Sequence, residues 1–229
     1  MMAKILTVAN QKGGSGKTTV AMQVAGCLGR RGNTVLVIDA DPQGTAVRWA
    51  TSAEDDKPFP ARVAGLSAAG GKVHREVQKF VEDYHYIVVD CPPAVDSPVP
   101  QSALLISDLV LVPVIPSPAD LWAATGIQQL ISNIGDINEN LTARIVPNMC
   151  QPNTSLARDA LDVLQDFGVP VTRSCLHLRT AYRRSAVFGG IVHDQGSQAR
   201  QAIEELDALT SEVLDILHAE QSVAEVEDG

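Results

Sequence analysis

The stretch Gln11 to Thr19 follows directly on the apolar run Ile5 to Ala9. That order of apolar strand, glycine-rich loop and helix start constrains the fold more than any other feature of the chain. Glycines at 13, 14 and 16 let backbone N–H groups close around phosphate oxygens, Lys17 reaches the outer phosphates, and the Thr18 hydroxyl is a Mg2+ ligand type. A helix starting here turns its positive N-terminal end toward the same anion. The regular spacing of such loops, G-x-x-x-x-G-K-[ST], asks for glycine at position 11, where Gln11 stands. The loop opens instead on Lys12-Gly13-Gly14, so it carries two lysines where phosphate binding needs one.

Two acidic clusters follow buried-strand patterns. Thr34 to Ile38 runs into Asp39-Ala40-Asp41-Pro42-Gln43-Gly44, and Tyr86 to Val89 runs into Asp90-Cys91-Pro92-Pro93. Ligands of open α/β sheets bind outside the C-terminal ends of parallel strands, where these carboxylates would meet a metal and an attacking water. Further strands are expected at Lys4–Ala9, Leu109–Val114 and Thr142–Pro147, with short ones near Val169–Val171 and Ala61–Val63. Helices are expected at Lys17–Gly29, Thr45–Ala50, Val73–Asp83, Ala119–Ile134, Ser155–Phe167 and Ser197–His218. Apolar strands alternating with amphipathic helices predict an α/β fold, a mostly parallel twisted sheet with helices on both faces.

At 229 residues, 45% of them hydrophobic, the chain suits one globular domain, expected over 1–218. An acidic, disordered tail is expected over 219–229. There is no run of about 18 uncharged apolar residues and no signal-peptide pattern, so the expected setting is cytoplasmic. Cys27, Cys91, Cys150 and Cys175 have no metal-ligand spacing and read as reduced, mostly buried thiols.

Lys12-Gly13-Gly14-Ser15-Gly16-Lys17-Thr18-Thr19, with the Asp39 and Asp90 clusters in that order, resembles the ParA/MinD superfamily of deviant phosphate-loop (Walker A) ATPases. Within it the chain is most similar to the small ParA group, and the likeness extends to Pro116-Ser117-Pro118-Ala119-Asp120, to Trp49 and to the segment Arg173 to Arg184. The resemblance implies ATP and Mg2+ as ligands. Gly13, Gly14, Ser15, Gly16, Lys17, Thr18 and Thr19 would hold the nucleotide, and Thr18 and Asp90 the metal. It also implies that Lys12 crosses a dimer interface to the phosphates bound in a second subunit; the other reading is a solvated loop lysine. Asp41 matches the hydrolytic aspartate, and also fits a helix N-cap before Pro42. Asp39 has two candidate roles, supporting the metal or capping. Asn148, ending a strand, matches an adenine-contacting asparagine and is equally a common turn residue. No Asn-Lys-x-Asp guanine motif occurs. No arginine finger accompanies the motifs, so hydrolysis should be slow, as in a switch.

The net charge of −9 argues against a general nucleic-acid coat. Yet the acid-free window between Asp166 and Asp194 holds Arg173, Arg179, Arg183 and Arg184, while nine acids follow Arg200. Small ParA-like proteins bind DNA without sequence preference as ATP-bound dimers, and a doubled arginine patch would suit that, with nucleoid association and steep salt dependence. Alternatively, these arginines pair with acids of the last helix or line the pocket or dimer face. A membrane role has no support in the C-terminal sequence, where residues 220–229 hold four acids and no basic residue. An electron carrier like the nitrogenase iron protein would need cluster cysteines, and position 97 is Ser97. The leading expectation is an ATP switch that segregates plasmid or chromosome through a ParB-like adaptor. Positioning of carboxysomes through a McdB-like adaptor is the close alternative. A dethiobiotin synthetase-like ligase is the alternative of another class, without a motif for its substrate.

Overall fold

The computed structural model describes residues 2–93, 97–151, 164 and 167–227, with side chains at 121, 123 and 220–227 excepted. Six strands form one sheet: β1 (Lys4–Val8), β2 (Val35–Asp39), β3 (Arg62–Gly65), β4 (Tyr86–Asp90), β5 (Leu109–Val114) and β6 (Thr142–Pro147). Their order is β3-β2-β4-β1-β5-β6, and every pairing is parallel. The helices are α1 (Lys17–Arg30), α2 (Thr45–Thr51), α3 (Val73–Val77), α4 (Pro98–Leu104), α5 (Pro118–Gly135), α6 (Thr180–Phe188) and α7 (Arg200–Glu227).

Side chains alternate across the strands, and each face feeds its own core. Leu6, Val8, Val37, Val88 and Leu111 point to the face covered by α1 and α7, where Met22, Leu28, Leu206 and Val213 meet them. Ile5, Ile38, Ile87, Val89 and Val112 point to the other face, against Val77, Leu104 and Ile127. Leu6, Ile38 and Leu111 are fully buried, and cutting any one of them to alanine costs about 2–5 kcal/mol.

Several expectations need correction. The helix expected at Val73–Asp83 stops at Val77 and continues as a 3-10 turn, Gln78–Phe80. Val169–Val171 contributes only an isolated bridge, Ile145 to Val171. The chain also forms α4, over Pro98–Leu104, which was not among the expected helices. The Ser97 hydroxyl accepts from the Val99 N–H at 3.3 Å, and both prolines sit in the first turn, where a missing N–H costs little. The helix expected over Ser155–Phe167 falls almost wholly outside the described residues. The last helix continues to Glu227, past His218 and through the start of the segment read as a tail.

Parallel register sets the site. Val8 pairs with Asp90, and Asp90 with Asp39, so three neighbouring strands end at one level. The loop before α1, the Asp39–Gly44 loop and the loop after Asp90 therefore meet at one edge of the sheet. On the flank, the Trp49 indole N–H donates to the Gly190 carbonyl at 2.9 Å and ties α2 to the end of α6.

Candidate nucleotide site

The loop after β1 is held in shape by hydrogen bonds within the chain. The Asn10 amide donates to the Pro113 carbonyl at 2.7 Å and accepts from the Lys12 N–H at 3.1 Å. The Ser15 hydroxyl donates to the Lys12 carbonyl at 3.3 Å, closing the loop on itself. The Asn148 amide, at the end of β6, donates to the Ser15 carbonyl at 2.7 Å. Gly16 follows with φ 87, and a Cβ there would lie 2.3 Å from the Asn148 nitrogen. Only glycine fits, on both counts.

Lys17 points inward, 6% exposed, and its ammonium donates to the Lys12 carbonyl at 3.0 Å. Burial lowers its pKa, and Asp90 and Asp41 oppose that shift. One neutral acceptor leaves further donors of this ammonium for phosphate oxygens. The first N–H groups of α1 have no intrahelical partner and face the same space.

Lys12 goes the other way. Its ammonium lies 2.6 Å from Asp120 Oδ1 in the first turn of α5. Asp120 is 7% exposed, and its other oxygen is held by the Ser117 hydroxyl, which accepts from the Asp120 N–H at 3.3 Å. Oδ1 has no hydrogen-bond partner among the described residues, so the lysine contact is an ion pair and not an aligned hydrogen bond. The Lys12 side chain is thus paired outward, away from the Lys17 ammonium, and at 34% exposure is only partly solvated. The sequence reading missed Asp120 as its partner. Ser117, Pro118 and Asp120 make a readable capping pattern at a helix start, but nothing in it points to Lys12.

The acidic strand ends divide their labour. Asp39 Oδ1 accepts from the Asp41 N–H at 3.2 Å and Oδ2 from the Val47 N–H at 2.9 Å. It pins the loop and the first turn of α2, and each oxygen keeps a lone pair that a metal-bound water could use. Burial still raises its pKa, against those two N–H groups. Asp41 is half-buried, and its Oδ1 accepts from the Gln43 N–H at 2.9 Å. α2 begins only at Thr45 after Gly44, so Asp41 shapes a turn and is not the helix cap.

Asp90 differs from both. It is fully buried, and neither carboxylate oxygen has a hydrogen-bond partner among the described residues. Burial pushes its pKa up to about 7; the nearby Thr18 hydroxyl and Lys17 act against that rise, and Asp39 adds to it. A buried carboxylate left without donors beside a threonine hydroxyl fits an oxygen-coordinated cation such as Mg2+, bound directly or through water. Thr18 and Asp90 therefore suit the metal role.

Asn148 is 4% exposed and spends its amide N–H on the phosphate loop. Met149 beside it has φ 52, a left-handed conformation uncommon outside glycine. This strand end is shaped by its contact with the loop.

The arginines do not form one free patch. Glu205 on α7 accepts from Arg179 Nε at 2.9 Å and Nη2 at 2.6 Å, from the His177 N–H at 3.1 Å and from the Tyr182 hydroxyl at 3.2 Å. Burial alone would raise the pKa of Glu205, but the Arg179 and His177 hydrogen bonds outweigh it and the net shift is down. Arg179 also donates to Gln201 at 2.7 Å. Arg173 and Ser174 donate backbone N–H bonds to Glu212 at 2.8 and 3.0 Å, while the Arg173 side chain stays 83% exposed. Arg183 and Arg184 are exposed on α6.

The family model for the CobQ/CobB/MinD/ParA nucleotide-binding domain matches residues 6–192, taking in the loop, both acidic strand ends and Asn148. The chain belongs to this family. Its similarity to the maintenance of carboxysome distribution protein A of Halothiobacillus neapolitanus is 34% identity over 209 residues, 91% of this chain and 95% of that protein. The chromosome partitioning protein ParA of Caulobacter vibrioides is 26% identical over 230 residues, covering 81% and 85%. Among solved structures, an ATP complex of a Cyanothece McdA variant superposes with TM-score 0.77 at 16% identity, over 93% of this chain and 96% of that one. MinD of Pyrococcus horikoshii with Mg-ADP gives 0.70 at 20% identity, over 93% and 96%. These two likenesses bear on the fold, which is that of the MinD and ParA phosphate-loop proteins.

Proposed function

We propose that this ParA/MinD-type chain is a slow ATPase that works as a positioning switch. ATP is held by Lys17 and the N–H groups of residues 13–19, with Thr18 and Asp90 on Mg2+, which supplies positive charge to the outer phosphates. Asp41, at the rim of the same pocket, orients the attacking water. Lys12 then exchanges Asp120 for the phosphate of a second copy, so that the homodimer closes only around bound ATP. Closure doubles Arg183 and Arg184, which meet DNA phosphates without sequence preference. An adaptor protein speeds hydrolysis and resets the switch.

The reading rests on one observation: the two lysines of the loop diverge, Lys17 into the cradle and Lys12 out to Asp120. For the cargo, the match along 95% of a carboxysome distribution protein favours a protein compartment served by a McdB-like adaptor. That reverses the preference formed from sequence. Segregation of plasmid or chromosome through a ParB-like adaptor is the second reading, favoured by the ParA match.

Light scattering of the full chain with Mg2+ and a slowly hydrolysed ATP analogue tests the switch. Wild type is expected to become a dimer that binds DNA in low salt, and Lys12→Ala to bind nucleotide yet remain a monomer. Normal dimerisation and DNA binding by Lys12→Ala would refute the cross-subunit role. ATP-dependent carboxylation or phosphorylation of a small molecule would refute the switch itself.

A further inference from the structure

About 15 Å along α1 from the phosphate loop, estimated from the helical rise, a second cluster gathers side chains that the nucleotide does not need. Cys27 on α1, His193 in the 3-10 segment Val192–Ala199 and Asp207 on α7 place one donor atom each within 4.8 Å of one another. They are distant in sequence and meet only because three segments pack here.

We propose that Cys27, His193 and Asp207 form a binding site for a thiophilic divalent cation of the zinc class. The spacing favours it. Cys27 Sγ lies 3.4 Å from Asp207 Oδ1, and His193 Nε2 lies 3.1 Å from the same oxygen. Ligand distances of 2.0–2.3 Å in a tetrahedral zinc site put neighbouring ligand atoms about 3.2–3.6 Å apart. The donor set of one thiolate, one imidazole and one carboxylate is of the soft and borderline kind that selects zinc over magnesium.

Hydrogen bonds within the cluster have similar lengths, so spacing alone does not decide between a site and a polar network. The convergence of a thiol, an imidazole and a carboxylate from three separate segments favours a site, and so does the Thr210 hydroxyl beside them, which is buried and has no partner among the described residues. Thr210 lies against Cys27, where its proximity favours the thiolate, so its hydroxyl is placed to donate to a metal-bound sulfur.

Charge also balances. Burial raises the Cys27 pKa in the absence of a cation, so binding expels the thiol proton to solvent while the oxidation state of sulfur is unchanged. Thiolate and carboxylate together neutralise a dication. Arg31 stands on the outer side, 3.3 Å from Asp207 Oδ1. It can release that oxygen and keep its bonds to the Asp207 carbonyl at 3.0 Å and the Ser211 hydroxyl at 3.1 Å. Asp207, 45% exposed, gives the approach from solvent. A bound cation would tie α1 to α7 and to the turn between α6 and α7, raising stability by mass action.

Co2+ is the probe, added to untagged full chain without nucleotide. Expected is a sulfur-to-cobalt charge-transfer absorption that saturates at one equivalent and is displaced by Zn2+. Cys27→Ser should abolish it, and Asp207→Asn, at a half-exposed position, should weaken binding at least about 100-fold. Cys175→Ser should leave it intact. Zn2+ should also raise the thermal midpoint of wild type and not that of Cys27→Ser, with unfolding in metal-free buffer confirming that both variants are folded. Absence of the band in wild type, or its survival in Cys27→Ser, would overturn the site.

Discussion

The sheet edge around Asp90 and the strap around Glu205 both bury charge, and they treat it in opposite ways. Glu205 has a donor for each oxygen, from Arg179, His177 and Tyr182, and its pKa falls. Asp90 has no hydrogen-bond donor on either oxygen among the described residues, and burial raises its pKa to about 7. A satisfied buried charge is part of the scaffold, whereas an unsatisfied one marks the place where a ligand belongs. The same test separates the two ends of the arginine window: Arg179 is scaffold, Arg183 and Arg184 are surface.

Asp90→Asn tests the unsatisfied side and carries the largest expected effect. Mg2+-dependent nucleotide affinity should drop at least about 100-fold, the scale of losing a metal ligand. Stability should move the other way. Between 3.8 and about 7 the unfolded chain has lost the Asp90 proton while the folded chain keeps it, so this carboxyl's contribution weakens as pH rises. The variant's thermal midpoint should therefore exceed wild type at pH 8 and converge with it near pH 4. A midpoint that drops at pH 8 would mean that Asp90 has donors of its own.

Glu205→Gln tests the satisfied side. It should cost about 2 kcal/mol, a charged hydrogen-bond network being lost, or roughly 6 °C in a chain of this size. Nucleotide affinity should not change. Because the folded pKa of Glu205 is depressed, its contribution is present above about 4.5 and is lost as pH falls below that. The difference between wild type and variant should narrow as pH falls below about 4.5; a gap that does not narrow would show that packing, and not charge, is what the glutamate supplies. Smallest in stability is the pair Arg183→Glu and Arg184→Glu, expected within about 0.5 kcal/mol of wild type. ATP-dependent DNA binding, measured by gel shift in low salt, should nonetheless disappear. Retained binding would move the DNA surface away from α6.

Much of this contrast was legible in the chain, and the part that was not has physical reasons. Strands buried on both faces read as continuous apolar runs, so β1, β2, β4, β5 and β6 lie within a residue of their expected bounds. The phosphate loop and the carboxylates at 39, 41 and 90 are local motifs and were read directly. Pairings made by tertiary packing were not. Nothing in the spacing of Lys12 and Asp120 announces an ion pair. The roles of Asp39 and Asp41 depended on where α2 begins, and an N-cap at Asp41 was as consistent with Asp-Pro as the turn that forms. α4 is seven residues long, too short to carry a readable apolar period, and was not expected. Cys27 and His193 sit 166 positions apart, beyond the reach of any ligand-spacing rule.

The bond between Trp49 and Gly190 gives α2 a second anchor besides Asp39. Asp39 grips the near end of the helix together with the loop that carries Asp41, and the indole grips the end of α6, two residues beyond Phe188. α2 is thus a short connecting rod between the rim of the pocket and the helix that displays Arg183 and Arg184. A shift of the Asp41 loop that keeps these bonds must be transmitted to that face, and the indole, seated at the joint, is a built-in optical gauge of the movement.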